Sequence, residues 1–222
     1  MKKLSRILCV LLCAVMLLTV AACARKTETT SKTTENTSTS EDVKSDIPVV
    51  ENKTKFDTTK HVFVTFTMKD RGEFQVELYP EYAPNTVTNF VNLADSGYFD
   101  GLKFHRVVDD FMAQGGINYE EEAESIYGEF SSNGFEQNTL KHKRGVISMA
   151  RATDDPNSAS GQFFICYDTC DFLDGNYAAF GEVTYGMDVL DSFLDVERAI
   201  NSMGELATPL EDIIIEKAVV SQ

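Results

Sequence analysis

Positive charge is scarce in this chain. Its 222 residues carry 20 lysines and arginines against 35 aspartates and glutamates, a formal net charge of −15. Such a surface cannot gain the counterion release on which nucleic-acid binding depends, so a nucleic-acid partner is not expected. The acidity otherwise reads as a solvated, soluble surface. Cysteine is too unevenly placed for a disulfide framework: Cys9 and Cys13 lie in an apolar N-terminal run, Cys23 ends it, and only Cys166 and Cys170 fall in the body. These two sit on a strand and its exit, too far apart to bridge, and read as free thiols with Cys166 buried. No H-E-x-x-H or paired Cys/His pattern occurs, so neither a metal nor another cofactor is expected. A βαβ rhythm is missing as well, which argues against a parallel sheet.

What is present begins with an export signal. Lys2, Lys3 and Arg6 precede the apolar run I-L-C-V-L-L-C-A-V-M-L-L-T-V-A-A. That is a signal-peptide pattern, slightly short for a spanning helix of about 20 residues. Its end, Val20-Ala21-Ala22-Cys23, resembles a bacterial lipobox. The resemblance implies cleavage before Cys23, lipid on the Cys23 thiol, and an extracytoplasmic protein held to the membrane by that lipid. Removing residues 1–22 leaves 17 basic against 35 acidic residues, a net charge of −18. Residues 23–56 are rich in Ser, Thr and Lys with few large apolar side chains. They cannot offset their ordering entropy and are expected to form a disordered tether.

The globular body, residues 57–222, holds enough apolar residues for a core, 43% over the whole chain. Val62, Val64, Phe66 and Met68 alternate with Phe63, Thr65, Thr67 and Lys69, a strand pattern. After Arg71-Gly72, the spacing of Phe74, Val76 and Leu78 predicts a second strand and a hairpin. Pro84 opens a helix carrying Val87, Phe90, Val91 and Ala94, closed by Gly97. Short β-type runs follow at 104–108, 111–114, 146–149, 162–166 and 178–183. A second helix is expected over 187–193 and a last strand over 213–220. Two helices among about eight short strands point to a mainly β chain, an antiparallel barrel capped by helices. The pattern alone does not say which barrel.

Four segments carry more. They are F-H-R-V-V-D-D-F-M-A-Q-G-G at 104–116, K-H-K-R-G-V-I-S-M-A at 141–150, N-S-A-S-G-Q-F-F-I-C at 157–166 and F-L-D-G-N-Y-A-A-F-G at 172–181. With Ala83-Pro84-Asn85-Thr86 and Asn89-Phe90, they resemble the cyclophilin family of peptidyl-prolyl cis-trans isomerases, in family order over roughly 160 residues, one domain of ordinary size. The resemblance implies a closed eight-stranded antiparallel barrel with two helices, a monomer, and proline-containing polypeptides as substrates, here exported proteins whose folding it would accelerate.

These residue types suit that chemistry. An X-Pro amide resists rotation by roughly 18–20 kcal/mol because its nitrogen donates into the carbonyl. No bond need break. A dry pocket that grips the ring, and a donor aimed at the nitrogen lone pair freed by twisting, favour the transition state over the ground state. By the resemblance Arg106 is that donor. Phe111, Met112, Phe164 and Leu173 form the proline pocket, with a floor expected to be continuous with the core. Gln114 and Gln162 position the substrate backbone and Arg106. The backbone of Ala150 and Arg151 pairs with the extended peptide, and Phe172 and Tyr177 wall the pocket. Rotation moves no proton to or from the substrate, so His105 and His142 read as structural.

Three departures stand out. Phe172 occupies a position where many eukaryotic cyclophilins have tryptophan, whose N–H donates to cyclosporin, so weak cyclosporin binding is expected. Tyr177 replaces histidine. After Gly116, Glu120, Glu121, Glu122 and Glu124 replace flexible glycines: either a solvated loop or, by charge complementarity, a preference for basic residues before the proline. Two other functions compete. One is a non-catalytic proline-peptide-binding module or holdase, which would not need Arg106. The other is a serine hydrolase using Ser148 or Ser158 with His142, which lacks a nucleophile-elbow pattern.

Overall fold

Alternation of apolar and polar residues is converted directly into inside and outside. The computed structural model describes residues 47–222; the expected signal peptide, Cys23 and the tether up to residue 46 lie outside the described residues. Val62, Val64, Phe66 and Met68 of strand β1 (Val62–Met68) are buried, and so are Phe74, Val76 and Leu78 of β2 (Gly72–Leu78). The two pair antiparallel, Val62 opposite Leu78 and Met68 opposite Gly72. The turn between them uses positive φ at Asp70 and Gly72.

Six further strands complete a closed barrel: β3 (Lys103–Val108), β4 (Met112–Gly115), β5 (Val146–Met149), β6 (Phe163–Cys166), β7 (Ala179–Tyr185) and, last in the chain, β10 (Ile213–Ser221). Their order around the barrel is β1-β10-β3-β4-β6-β5-β7-β2, every pair antiparallel, so no edge is left open. The expected eight-stranded antiparallel barrel is present. Between β7 and β10 the chain also forms a separate hairpin, β8 (Arg198–Ile200) and β9 (Leu206–Pro209), which the sequence patterns did not reveal.

Helix α1 (Pro84–Ser96) starts with Pro84 in its first turn and ends at Gly97, whose φ of 80° only glycine adopts without strain. Its Phe90 meets Phe66, Phe99, Phe163 and Phe180 at 4.9–6.2 Å between ring centroids, an aromatic cluster at the heart of the core. The second helix is shorter than the expected 187–193: α2 covers Met187–Asp191, and a 3₁₀ turn continues over Ser192–Asp195. Apolar spacing cannot separate the two geometries over so few residues.

The described part of the expected tether, residues 47–56, is held against the domain. Val50 N–H donates to Asn85 Oδ1 (2.8 Å), Lys53 N–H to Asn92 Oδ1 (2.9 Å), and Asn92 Nδ2 to Glu51 O (2.8 Å). Asn85 and Asn92 are two turns apart on one face of α1 and offer amides to the passing backbone. Val50 and Phe56 also pack against the core. A low-complexity average over 23–56 hides these two apolar anchors.

Candidate functional site

The strands that close the barrel also present an outward face. Phe163, Ile165, Ala113, Ile147 and Met149 point into the main core. Their alternates Met112, Phe164 and Cys166 point the other way, where they join Cys170 and Leu173 in a second buried cluster. Because side chains alternate across a strand, this floor is separated from the core by the sheet itself. The expectation of a pocket floor continuous with the core is therefore corrected.

Register brings the polar groups to this floor. Arg106 on β3 lies opposite Gln114 on β4, Gln114 opposite Phe164 on β6, and Phe164 opposite Ser148 on β5. One row across four strands thus sets a guanidinium, an amide and an aromatic ring side by side. Arg106 Nη1 donates to Gln114 Oε1 at 3.3 Å and lies 3.7 Å from Met112 Sδ. Gln114 Nε2 donates to Gln162 Oε1 at 3.1 Å. The Arg106 guanidinium also sits 5.5 Å from the centre of the Phe111 ring, a cation–π arrangement.

Above the floor is an open cavity of about 520 Å³. Ten of the eleven residues singled out in this domain line it: Arg106, Phe111, Met112, Gln114, Ala150, Arg151, Phe164, Phe172, Leu173 and Tyr177. Gln162 instead lines a neighbouring cavity of about 310 Å³ with Tyr98, Tyr119 and Glu122, joined to the first through its bond to Gln114. Gly116, at φ 83° beside Gly161 O, lets the chain leave β4 where any Cβ would clash. Phe172 is 69% exposed and leans on Phe111 with ring centroids 5.5 Å apart, so it forms a rim. Tyr177 stands edge-on to Phe164 and is covered by the Arg151 guanidinium at 4.6 Å. Ala150 N–H donates to Gln162 O (2.9 Å), so of its backbone groups only the carbonyl is open to the peptide pairing expected there.

Four neighbours escaped sequence reasoning. Thr153, Asn176 and Met203 line the cavity, and Glu205 binds Arg106 at 2.7 and 2.9 Å. Met203 and Glu205 belong to the β8–β9 hairpin, and no local motif marks them. Among the described residues no group of three or more His, Cys, Asp or Glu side chains clusters as metal ligands do.

His142 bridges Asp174 (Nδ1, 3.0 Å) and Ser148 Oγ (Nε2, 2.9 Å), the connectivity of a hydrolase triad. Ser148 is fully buried and His142 is 1% exposed, with its ring stacked behind Phe164. No substrate carbonyl can reach that hydroxyl. Ser158 is engaged elsewhere, donating to Asp155 O and accepting from Ala152 N–H. The hydrolase reading is thereby overturned, and burial holds the His142 ring below its ordinary pKa despite Asp174.

Comparison with known proteins decides the family. A family model described as cyclophilin type peptidyl-prolyl cis-trans isomerase/CLD matches residues 63–220. The chain belongs to the cyclophilin-type peptidyl-prolyl cis-trans isomerases. This cyclophilin is 36% identical over 166 residues to peptidyl-prolyl cis-trans isomerase B of Escherichia coli, covering 69% of the chain and 96% of that protein. It is 39% identical over 157 residues to peptidyl-prolyl cis-trans isomerase CYP57 of Arabidopsis thaliana, covering 64% of the chain but only 31% of that longer protein. A solved cyclophilin-type isomerase from Cryptosporidium parvum superposes with a TM-score of 0.61 at 26% identity, over 73% of this cyclophilin and 99% of its own chain.

Proposed function

We propose that this cyclophilin accelerates prolyl isomerisation in exported polypeptides, with Arg106 stabilising the twisted amide. One observation carries the reading: the Nη1 edge of a half-buried guanidinium lies against Gln114 and Met112, at the margin of an apolar floor made by Met112, Phe164 and Leu173. The floor suits a proline ring and excludes water. As the amide twists, its nitrogen loses conjugation and gains a lone pair that a nearby N–H can meet. That interaction is absent in the planar ground state, so it lowers the barrier rather than merely tightening binding. Gln114 and Gln162 orient the peptide backbone, Ala150 and Arg151 pair with it, and Phe111, Phe172 and Tyr177 wall the proline in.

The remainder of the proposal concerns location. Residues 1–22 serve as a lipoprotein signal peptide and lipid on Cys23 holds the monomeric protein on the outer side of the membrane, with residues 23–46 as the tether. Uncatalysed isomerisation takes tens of seconds or longer, so newly exported chains gain from a foldase stationed there. Lipid on Cys23 is tested by the mass of the N-terminal peptide, and an unmodified Cys23 overturns it.

The catalytic reading is tested by an NMR-exchange isomerisation assay on the full chain beside Arg106→Ala. Loss of one preorganised donor should lower the rate by about 10²-fold. Full activity in the variant defeats the role of Arg106, and inactivity of the parent protein leaves a peptide-binding module instead.

A further inference from the structure

Arg106 does not hold its own orientation. Its Nε and Nη2 both donate to the Glu205 carboxylate, at 2.9 Å to Oε2 and 2.7 Å to Oε1, a two-pronged pair in which both side chains are partly buried. Glu205 lies outside the barrel, in the hairpin loop immediately before β9. It is itself fixed before it meets the arginine: Asn201 Nδ2 donates to Glu205 Oε2 at 2.9 Å, while Asn201 Oδ1 accepts the Met203 and Glu205 backbone N–H groups. Gly204, at φ 83°, donates to Asn201 O and closes the turn. The carboxylate therefore presents a preformed two-oxygen edge. That edge takes the Nε–Nη2 side of the guanidinium and leaves the Nη1 side toward Gln114 and the pocket floor.

We propose that Glu205 is a positioning residue for this isomerase, setting the direction of the Arg106 donor; the inference rests on the role proposed above for Arg106. Two effects of the carboxylate oppose each other. It tempers the positive charge of Arg106, and it fixes a side chain with several free torsions. The second prevails because a donor that is to meet a transient lone pair must already point at it. The Met203 side chain on the same hairpin lines the cavity, so one loop both aims the donor and borders the substrate.

The test compares the full chain with Glu205→Ala and Glu205→Gln, each also combined with Arg106→Ala, using an Xaa-Pro peptide in the exchange assay. Glu205→Ala should lower kcat on the order of tenfold with KM little changed, since the apolar grip remains. Glu205→Gln, which keeps one acceptor and nearly the same shape, should fall between and guards against collapse of the hairpin. Neither change should matter once Arg106 is alanine. In side-chain NMR the Arg106 Nε–H should exchange slowly in the parent protein and quickly in Glu205→Ala. Unchanged kcat in both Glu205 variants, with Arg106→Ala inactive, overturns this inference alone. Full activity of Arg106→Ala overturns it together with the role of Arg106. An undiminished Glu205→Ala effect in the Arg106→Ala background shows that the hairpin acts by another route and also overturns it.

Discussion

Glu129 caps α1 from outside the helix: its Oε2 accepts both the backbone N–H and the hydroxyl of Thr86, at 2.8 and 2.7 Å. Its Oε1 accepts Asn85 N–H at 3.0 Å, and the whole residue is buried. The helix has no side-chain cap at Ala83, so this carboxylate supplies what the local sequence lacks. Glu129→Ala would strand two backbone donors and a hydroxyl away from water, a loss of about 3 kcal/mol. Urea denaturation should show a clearly lower midpoint, with Glu129→Gln intermediate. An unchanged midpoint in Glu129→Ala would refute the cap.

Stability should fall in mild acid because of buried histidine. Burial lowers the pKa of both His142 and His105 in the folded state. The unfolded chain, with histidine near pKa 6.5, therefore binds more protons below that pH, and stability declines as pH drops through about 6.5. His61 has the opposite sign: Glu77 and Glu81 raise its pKa, so its contribution is present below about 6.5 and fades as pH rises through the raised value. It is largely exposed and weaker. Denaturation midpoints should drop between pH 7.5 and 5.5, and His142→Asn should flatten that slope while lowering stability overall. A slope identical to that of the parent protein would exclude His142 as its source.

Cyclosporin should inhibit this cyclophilin poorly. The wall residue Phe172 is exposed and has no N–H to offer, yet its place against Phe111 leaves room outward for a larger ring. Phe172→Trp should tighten inhibition by about fivefold to tenfold, the equivalent of one added hydrogen bond. Equal inhibition of both proteins would remove the N–H from the explanation.

The acidic loop offers a substrate preference. Glu122 lines the second cavity beside Tyr98, Tyr119 and Gln162, and Gln162 Oε1 accepts a hydrogen bond from Gln114 Nε2. Peptides with lysine shortly before the proline should be turned over faster than their glutamate counterparts at low ionic strength, and the difference should shrink as salt is added. Equal turnover at low salt would make the loop a merely solvated one.

Much of the candidate site was legible because its residues are local in sequence. Arg106, Phe111, Met112 and Gln114 sit within nine positions, on two adjacent strands and the turn that joins them, and pleat alternation alone puts Met112 and Gln114 on one face. Glu205 was not legible. It comes from a hairpin 99 residues away, and nothing in N-S-M-G-E-L distinguishes a guanidinium clamp from an ordinary turn. Asn85, Asn92 and Glu129 were hidden for the same reason, since each satisfies a distant backbone group that no window of sequence contains.

The order of apolar and polar residues was sufficient for the strands, for the first helix with its proline start and glycine stop, and for the four segments that carry the family resemblance. Those features depend on periodicity and on backbone sterics, which act between near neighbours. Barrel closure placed the candidate pocket on the outer face, cut off from the core by the sheet, and buried the His142–Ser148 pair. It also set Glu205 behind Arg106. Those outcomes follow from which strands lie side by side, a matter of long-range packing that a linear pattern does not contain.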